Sequence, residues 1–99
     1  GLLGAGIGNS IGQTLDRADM QYYEQARYNA LERGQPGQAL PWSNPQSGNS
    51  GNFVAQAPYK APTGEYCREF TQKINVGGKT EEGHGTACRQ SDGSWQIVQ

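Results

Sequence analysis

Cys67 and Cys88 are the residues of this chain best placed to do covalent chemistry, because two oxidised thiols would tie distant segments together. They flank Gly77-Gly78 symmetrically. Gly-Gly favours a two-residue hairpin turn, since glycine takes φ > 0 without steric cost. Such a turn sets Val76 opposite Lys79, and nine steps further out it sets Cys67 opposite Cys88. Opposed pairs alternate between hydrogen-bonded and non-hydrogen-bonded, so an odd number of steps makes 67/88 a non-hydrogen-bonded pair. Its Cα atoms would lie about 4.5 Å apart, within reach of a disulfide. A bridge of this kind belongs to an oxidising compartment and would stabilise the fold by roughly 3 kcal/mol through unfolded-state entropy. The competing reading is two unrelated buried thiols.

Other chemistries find less support. Two cysteines and the lone His84 do not complete a four-ligand zinc set, and no C-x-x-C spacing is present. Catalytic dithiols sit close in sequence at a helix start, unlike this pair. His84 has no second base, nucleophile or ligand cluster beside it and reads as a solvated strand residue. Glu81 and Glu82 fall on alternate sides of a strand and read as edge charges. Ser47, Ser50, Ser91 and Ser94 lie in turns without a triad partner. The glycine-rich stretches lack the Lys-Ser/Thr of a phosphate loop and the strand of a dinucleotide fold. No catalytic, cofactor or metal residue is assigned, and the chain is not read as an enzyme.

These residues must be positioned by a small frame. The chain has 99 residues, of which 33% are hydrophobic, with a mean hydropathy of −0.82 and 15 glycines. That composition allows at most one modest domain plus a tail, with a thin core that gives a disulfide a physical purpose. A net charge of −1 leaves no electrostatic footprint for nucleic acid. The chain begins at Gly1 inside a glycine-rich apolar stretch with no charged leader, as a mature or truncated product would.

Gly4, Gly8 and Gly12 recur every four residues and would share one helix face, a zipper that lets two helices approach closely in a membrane. The apolar run over 1–13 is shorter than the about 20 residues of a full span. It reads as the end of a membrane helix or, alternatively, as a flexible leader. Over 14–33, Leu15, Ala18, Tyr22, Ala26 and Ala30 make an apolar stripe widened by Tyr23 and Leu31, which predicts an amphipathic helix. Asp16 and Asp19 start it, Arg33 ends it, and Gly34 and Pro36 stop it. Tyr22, Tyr23 and Tyr28 would pack on the neighbouring domain or form an interfacial belt. Residues 34–52 read as a loop-rich connector with a short strand near Trp42, whose burial in the sheet is favoured over an interface role.

Residues 53–99 read as an antiparallel β domain. Phe53–Tyr59 is a strand limited by Pro58, and 65–76 with 79–90 form the long hairpin. Tyr66, Phe70, Ile74 and Val76 share the face opposite Cys67. A two-residue turn at Asp92-Gly93 would pair Gln90 with Trp95 and Cys88 with Ile97, giving the disulfide apolar cover. A bulge at Gly83 or Gly85 would shift the cysteine register.

Trp42 to Gly48 (W-x-N-P-x-S-G), Tyr66-Cys67-Arg68-Glu69-Phe70, Gly85-Thr86-Ala87-Cys88-Arg89-Gln90 and Asp92-Gly93-Ser94-Trp95, with the Gly4/Gly8/Gly12 zipper, resemble the 17 kDa surface antigen family of bacterial outer-membrane lipoproteins. The resemblance covers nearly the whole chain. It implies a secreted precursor with a lipidated N-terminal cysteine, a glycine-zipper hairpin and a small C-terminal domain. These 99 residues contain neither the lipobox cysteine nor the first half of the zipper hairpin, so lipidation is implied by the likeness alone.

The expected fold is α+β: an N-terminal glycine-zipper and amphipathic helix, then a small antiparallel β-sheet domain with one disulfide, Cys67–Cys88. The expected function is that of a non-enzymatic structural or interaction protein of the outer envelope, with its β domain on the periplasmic or cell-surface side of the outer membrane. Gly4, Gly8 and Gly12 would mediate helix–helix association with other envelope proteins or a second copy, and Trp42 and Trp95 would be docking candidates. The alternative is a soluble periplasmic binding or inhibitor module.

Overall fold

The computed structural model describes residues 15–98, so the Gly4/Gly8/Gly12 zipper lies outside the described residues. One helix, α1 (Arg17–Arg33), precedes six strands: β1 (Ala39–Ser43), β2 (Ser50–Ala55), β3 (Tyr59–Lys60), β4 (Tyr66–Val76), β5 (Lys79–Arg89) and β6 (Trp95–Ile97). The strands form one antiparallel sheet in the order β1-β2-β4-β5-β6, with β3 also paired to β4. The sheet therefore starts at Ala39, inside the stretch read as connector. The predicted strand through Tyr59 is broken: β2 ends at Ala55, and Tyr59–Lys60 return beside the start of β4.

The long hairpin has the expected register. Gly77 and Gly78 both take positive φ, +57° and +82°, as a tight primed turn requires. From Val76↔Lys79 the ladder runs without a bulge to Cys67↔Cys88. The second hairpin departs from expectation by one residue. Gly93 sits at φ +90° and closes a three-residue loop, with the Gln90 N–H donating to the Ser94 carbonyl at 2.7 Å. Trp95 consequently pairs with Arg89, and Cys88 with Gln96. Ile97 moves to the opposite face, so the disulfide has a polar neighbour where apolar cover was expected.

The face of the sheet toward the helix carries Trp42, Phe53, Ala55, Phe70, Ile74 and Ala87, all buried. Tyr66 shares this parity, yet it is 56% exposed because it sits at the end of the sheet. The helix stripe is rotated from the predicted one. Asp19, Tyr23, Ala26, Ala30 and Leu31 are buried, whereas Tyr22 is 42% exposed. Tyr23 decides the rotation: its ring meets Phe53 edge-on at 5.0 Å and Trp42 at 6.1 Å. Its hydroxyl donates to Gln72 Oε1 from within the core, and burial pushes its pKa up to about 12. One Tyr at this spot contributes more burial than any Ala of the stripe, so the helix turns to place it.

Candidate functional site

Two buried charges hold the helix on the sheet, one at each end. At the N-terminus Asp16 caps α1, accepting from the Asp19 N–H at 2.7 Å, while Asp19 Oδ2 accepts from the Asp16 N–H in return. Asp19 is itself 1% exposed. It also receives Asn44 Nδ2–H at 2.8 Å, Ser47 Oγ–H at 2.6 Å and Asn49 Nδ2–H at 2.8 Å, all from the β1–β2 loop. Burial raises its pKa, but the bonds from Ser47, Asn49, the Asp16 backbone and Asn44 together outweigh that and hold the carboxyl below the usual range. The loop is braced in turn: Asn44 Oδ1 accepts from the Gln46 N–H, and Ser47 Oγ accepts from the Asn49 N–H.

At the C-terminus Arg68, 4% exposed, reaches from β4 under the last turn of α1. Its Nη1 donates to the carbonyls of Ala30 (3.1 Å) and Leu31 (2.9 Å), Nη2 to Gly34 (2.9 Å), and Nε to Gln56 (2.7 Å). The last carbonyls of a helix have no partner within it, and the negative end of its dipole favours a cation there. Burial lowers the pKa of Arg68, but each of its three nitrogens donates to a backbone oxygen. A third contact lies at the same end: Glu32 Oε1 accepts from Trp95 Nε1–H at 2.8 Å and from Arg89 Nε–H at 3.1 Å. Those two hydrogen bonds, that of Trp95 foremost, pull the Glu32 pKa down.

The opposite face of the sheet is polar. It carries the Cys67–Cys88 bridge, with a Cα–Cα distance of 4.0 Å, as expected for a non-hydrogen-bonded pair. Next along lies an open groove of about 370 Å³ lined by Asn52, Thr71, Lys73, Glu82 and His84. Lys73 Nζ lies 3.8 Å from Glu82 Oε1 there, and no hydrogen bond joins His84 to a carboxylate among the described residues. Glu81 differs from Glu82: it pairs with Ile74 on the helix-facing side, and its Oε1 is buried without a hydrogen-bond partner among the described residues. Among the described residues no three His, Cys, Asp or Glu converge as metal ligands.

Residues 29–96 match the family described as 17 kDa outer membrane surface antigen. The chain belongs to that family. It is 47% identical over 90 residues to the 17 kDa surface antigen of Rickettsia bellii, covering 91% of this chain and 57% of that protein. It is 43% identical over 84 residues to the protein of the same name from Rickettsia conorii, covering 85% and 53%, and 42% identical over 83 residues to that of Rickettsia prowazekii, covering 84% and 52%. The chain thus spans little more than half the length of these relatives. No solved structure matches it.

The segments that carry the family likeness are largely those that hold the helix. Asn44 and Ser47 of the W-x-N-P-x-S-G run bind Asp19, Arg68 of YCREF caps α1, and Arg89 and Trp95 bind Glu32. Of the two docking candidates, Trp42 is 5% exposed and fills the core, while Trp95 is half-buried at the end of the sheet. Spacing did not single out Asp19, Arg68 or Gln72. The available signal was phase. Asp19 steps with Tyr23, Ala26 and Ala30, and Arg68 and Gln72 alternate in step with Phe70 and Ile74, so each is a polar residue on an apolar face. Among the described residues no helix is long and apolar enough to cross a membrane.

Proposed function

We propose that this chain is the membrane-proximal and globular part of a non-enzymatic outer-envelope protein. In this reading the Gly4/Gly8/Gly12 segment associates with the outer membrane, and the disulfide-stapled sheet acts as a structural or docking module of a larger assembly. Membership of a family described as outer membrane surface antigen carries the reading. The cross-strand disulfide supports it, because structural bridges are rare in a reducing cytosol. The polar sheet face and the fastening of the helix at both ends suit a rigid, water-facing module. Glycines four apart would pack the membrane segment against another helix of the assembly or a second copy. Lipidation of an upstream cysteine, as the resemblance implies, would add the second anchor that a single weak membrane segment needs.

Membrane fractionation of the chain, alone and with Gly4→Leu and Gly8→Leu, tests the reading. Wild-type chain in the outer-membrane fraction, and a smaller oligomer or a shift to the soluble fraction for the variants, are the expected results. Partitioning and oligomer size that ignore both substitutions would remove the zipper, and wild-type chain in the soluble fraction would leave a soluble periplasmic binding module.

A further inference from the structure

A second groove, of about 340 Å³, runs between α1 and the β1–β2 loop, away from the sheet face that carries the disulfide. Gln21, Tyr22 and Gln25 form its helix wall, and Asn44, Pro45 and Gln46 form the loop wall. The side-chain amides of Gln21, Gln25 and Gln46 are exposed and make no hydrogen bond among the described residues. No Asp, Glu, Lys or Arg lines the groove, so a charged ligand would lose hydration there without gaining a counter-charge. Each amide offers both a donor and an acceptor. Tyr22, 42% exposed, and the Pro45 ring offer flat apolar surface between them. The walls are pre-set: Asn44 is 3% exposed, its side chain is spent on Asp19 and the Gln46 N–H, and Asp19 belongs to α1. Only the glutamines and Tyr22 must be ordered on binding, which keeps the entropic cost small.

We propose that this groove binds an oligosaccharide of N-acetylated hexosamines. The acetamido group carries one N–H and one C=O, the complement of a glutamine amide. The sugar hydroxyls donate and accept in the same way, and the C–H face of a pyranose ring matches an exposed tyrosine. The volume is at the lower end of the roughly 300–1,000 Å³ typical of ligand sites, enough for a short stretch of glycan. The site is independent of membrane attachment, so it stands or falls separately from the zipper.

Nuclear magnetic resonance titration of the ¹⁵N-labelled 99-residue chain tests it with three probes: a β-1,4 N-acetylglucosamine tetramer, the N-acetylglucosamine–N-acetylmuramic acid disaccharide of bacterial wall, and a glucose tetramer. Saturable shifts of the Gln21, Gln25 and Gln46 side-chain amides are expected with the first, with a Kd on the order of 1 mM. Weaker binding is expected of the wall disaccharide, whose lactyl carboxylate finds no counter-charge in the groove, and at least tenfold weaker binding of glucose tetramer. Binding of the anionic wall disaccharide as tight as that of the uncharged tetramer would show that the groove does not select a neutral ligand and would overturn the proposal. Tyr22→Ala and Gln25→Ala, both at exposed positions, should weaken binding at least fivefold while the resonances of Phe53 and Phe70 stay in place. Absence of saturation, equal binding of the glucose tetramer, or shifts centred on Thr71 and His84 instead would overturn the proposal.

Discussion

The two ends of α1 solve one problem with opposite charges. At the start, a buried carboxylate collects side-chain donors from a single loop; at the finish, a buried guanidinium collects backbone acceptors from the helix and from the chain after β2. Neither charge is met by a counter-charge among its hydrogen-bond partners. Each is balanced by aligned dipoles and has the sign that its end of the helix favours. The two sets of partners differ in kind. Asn44, Ser47 and Asn49 are side chains on a turn and can re-form with a neutral partner. The carbonyls of Leu31 and Gly34 exist wherever α1 ends and lose their donor without Arg68, while that of Ala30 keeps only the Gly34 N–H.

The largest effect is expected at Arg68. Arg68→Ala should cost about 3–4 kcal/mol in denaturant unfolding, because four hydrogen bonds to carbonyls are lost at once and the last turn of α1 loses its buried cap. Arg68→Lys should recover less than half of that loss, since one ammonium cannot span the fork of a guanidinium. Full rescue by lysine would show that charge alone, and not geometry, fastens the helix end.

Asp19→Asn should cost less, about 2 kcal/mol, as the amide keeps one acceptor oxygen for the loop. It should also change the acid limb of the stability curve. The folded-state pKa of Asp19 lies below its unfolded value near 3.9, so its contribution is complete above that pH and is lost as pH falls through the folded value. Wild-type stability measured between pH 6 and pH 2 should therefore decline more steeply than that of Asp19→Asn. Parallel curves would mean that the carboxylate is not the hub of the loop. The smallest effect is expected at the third contact. Trp95→Phe removes only the N–H donated to half-buried Glu32 and should cost about 0.5–1 kcal/mol, with the Glu32 pKa rising toward the ordinary carboxylate value in a carboxyl-resolved titration.

Much of the frame was legible in the chain. The Gly77-Gly78 turn and the parity of the strands placed Cys67 against Cys88 because side chains alternate strictly along a ladder, and no bulge intervened. The second hairpin was misread by one residue, since Asp92-Gly93 serves a two-residue turn and a three-residue loop equally well. Choosing between them depends on the pairing of Gln90 with Ser94. The helix was placed but its rotation was not. Tyr22 and Tyr23 are adjacent and alike, and only the aromatic pair Trp42 and Phe53 across the core selects between them.

Local sequence thus settled the helix, the long hairpin and the disulfide register, which follow from turn chemistry and from periods of two and 3.6 residues. Tertiary structure alone decided that Asp19 and Arg68 are buried at opposite ends of the helix, and that Asn44 and Pro45 form one wall of a groove with Tyr22. The physical reason is that a buried charge is tolerated only where partners distant in sequence converge on it. Such convergence depends on how the helix lies across the sheet, which no local pattern records.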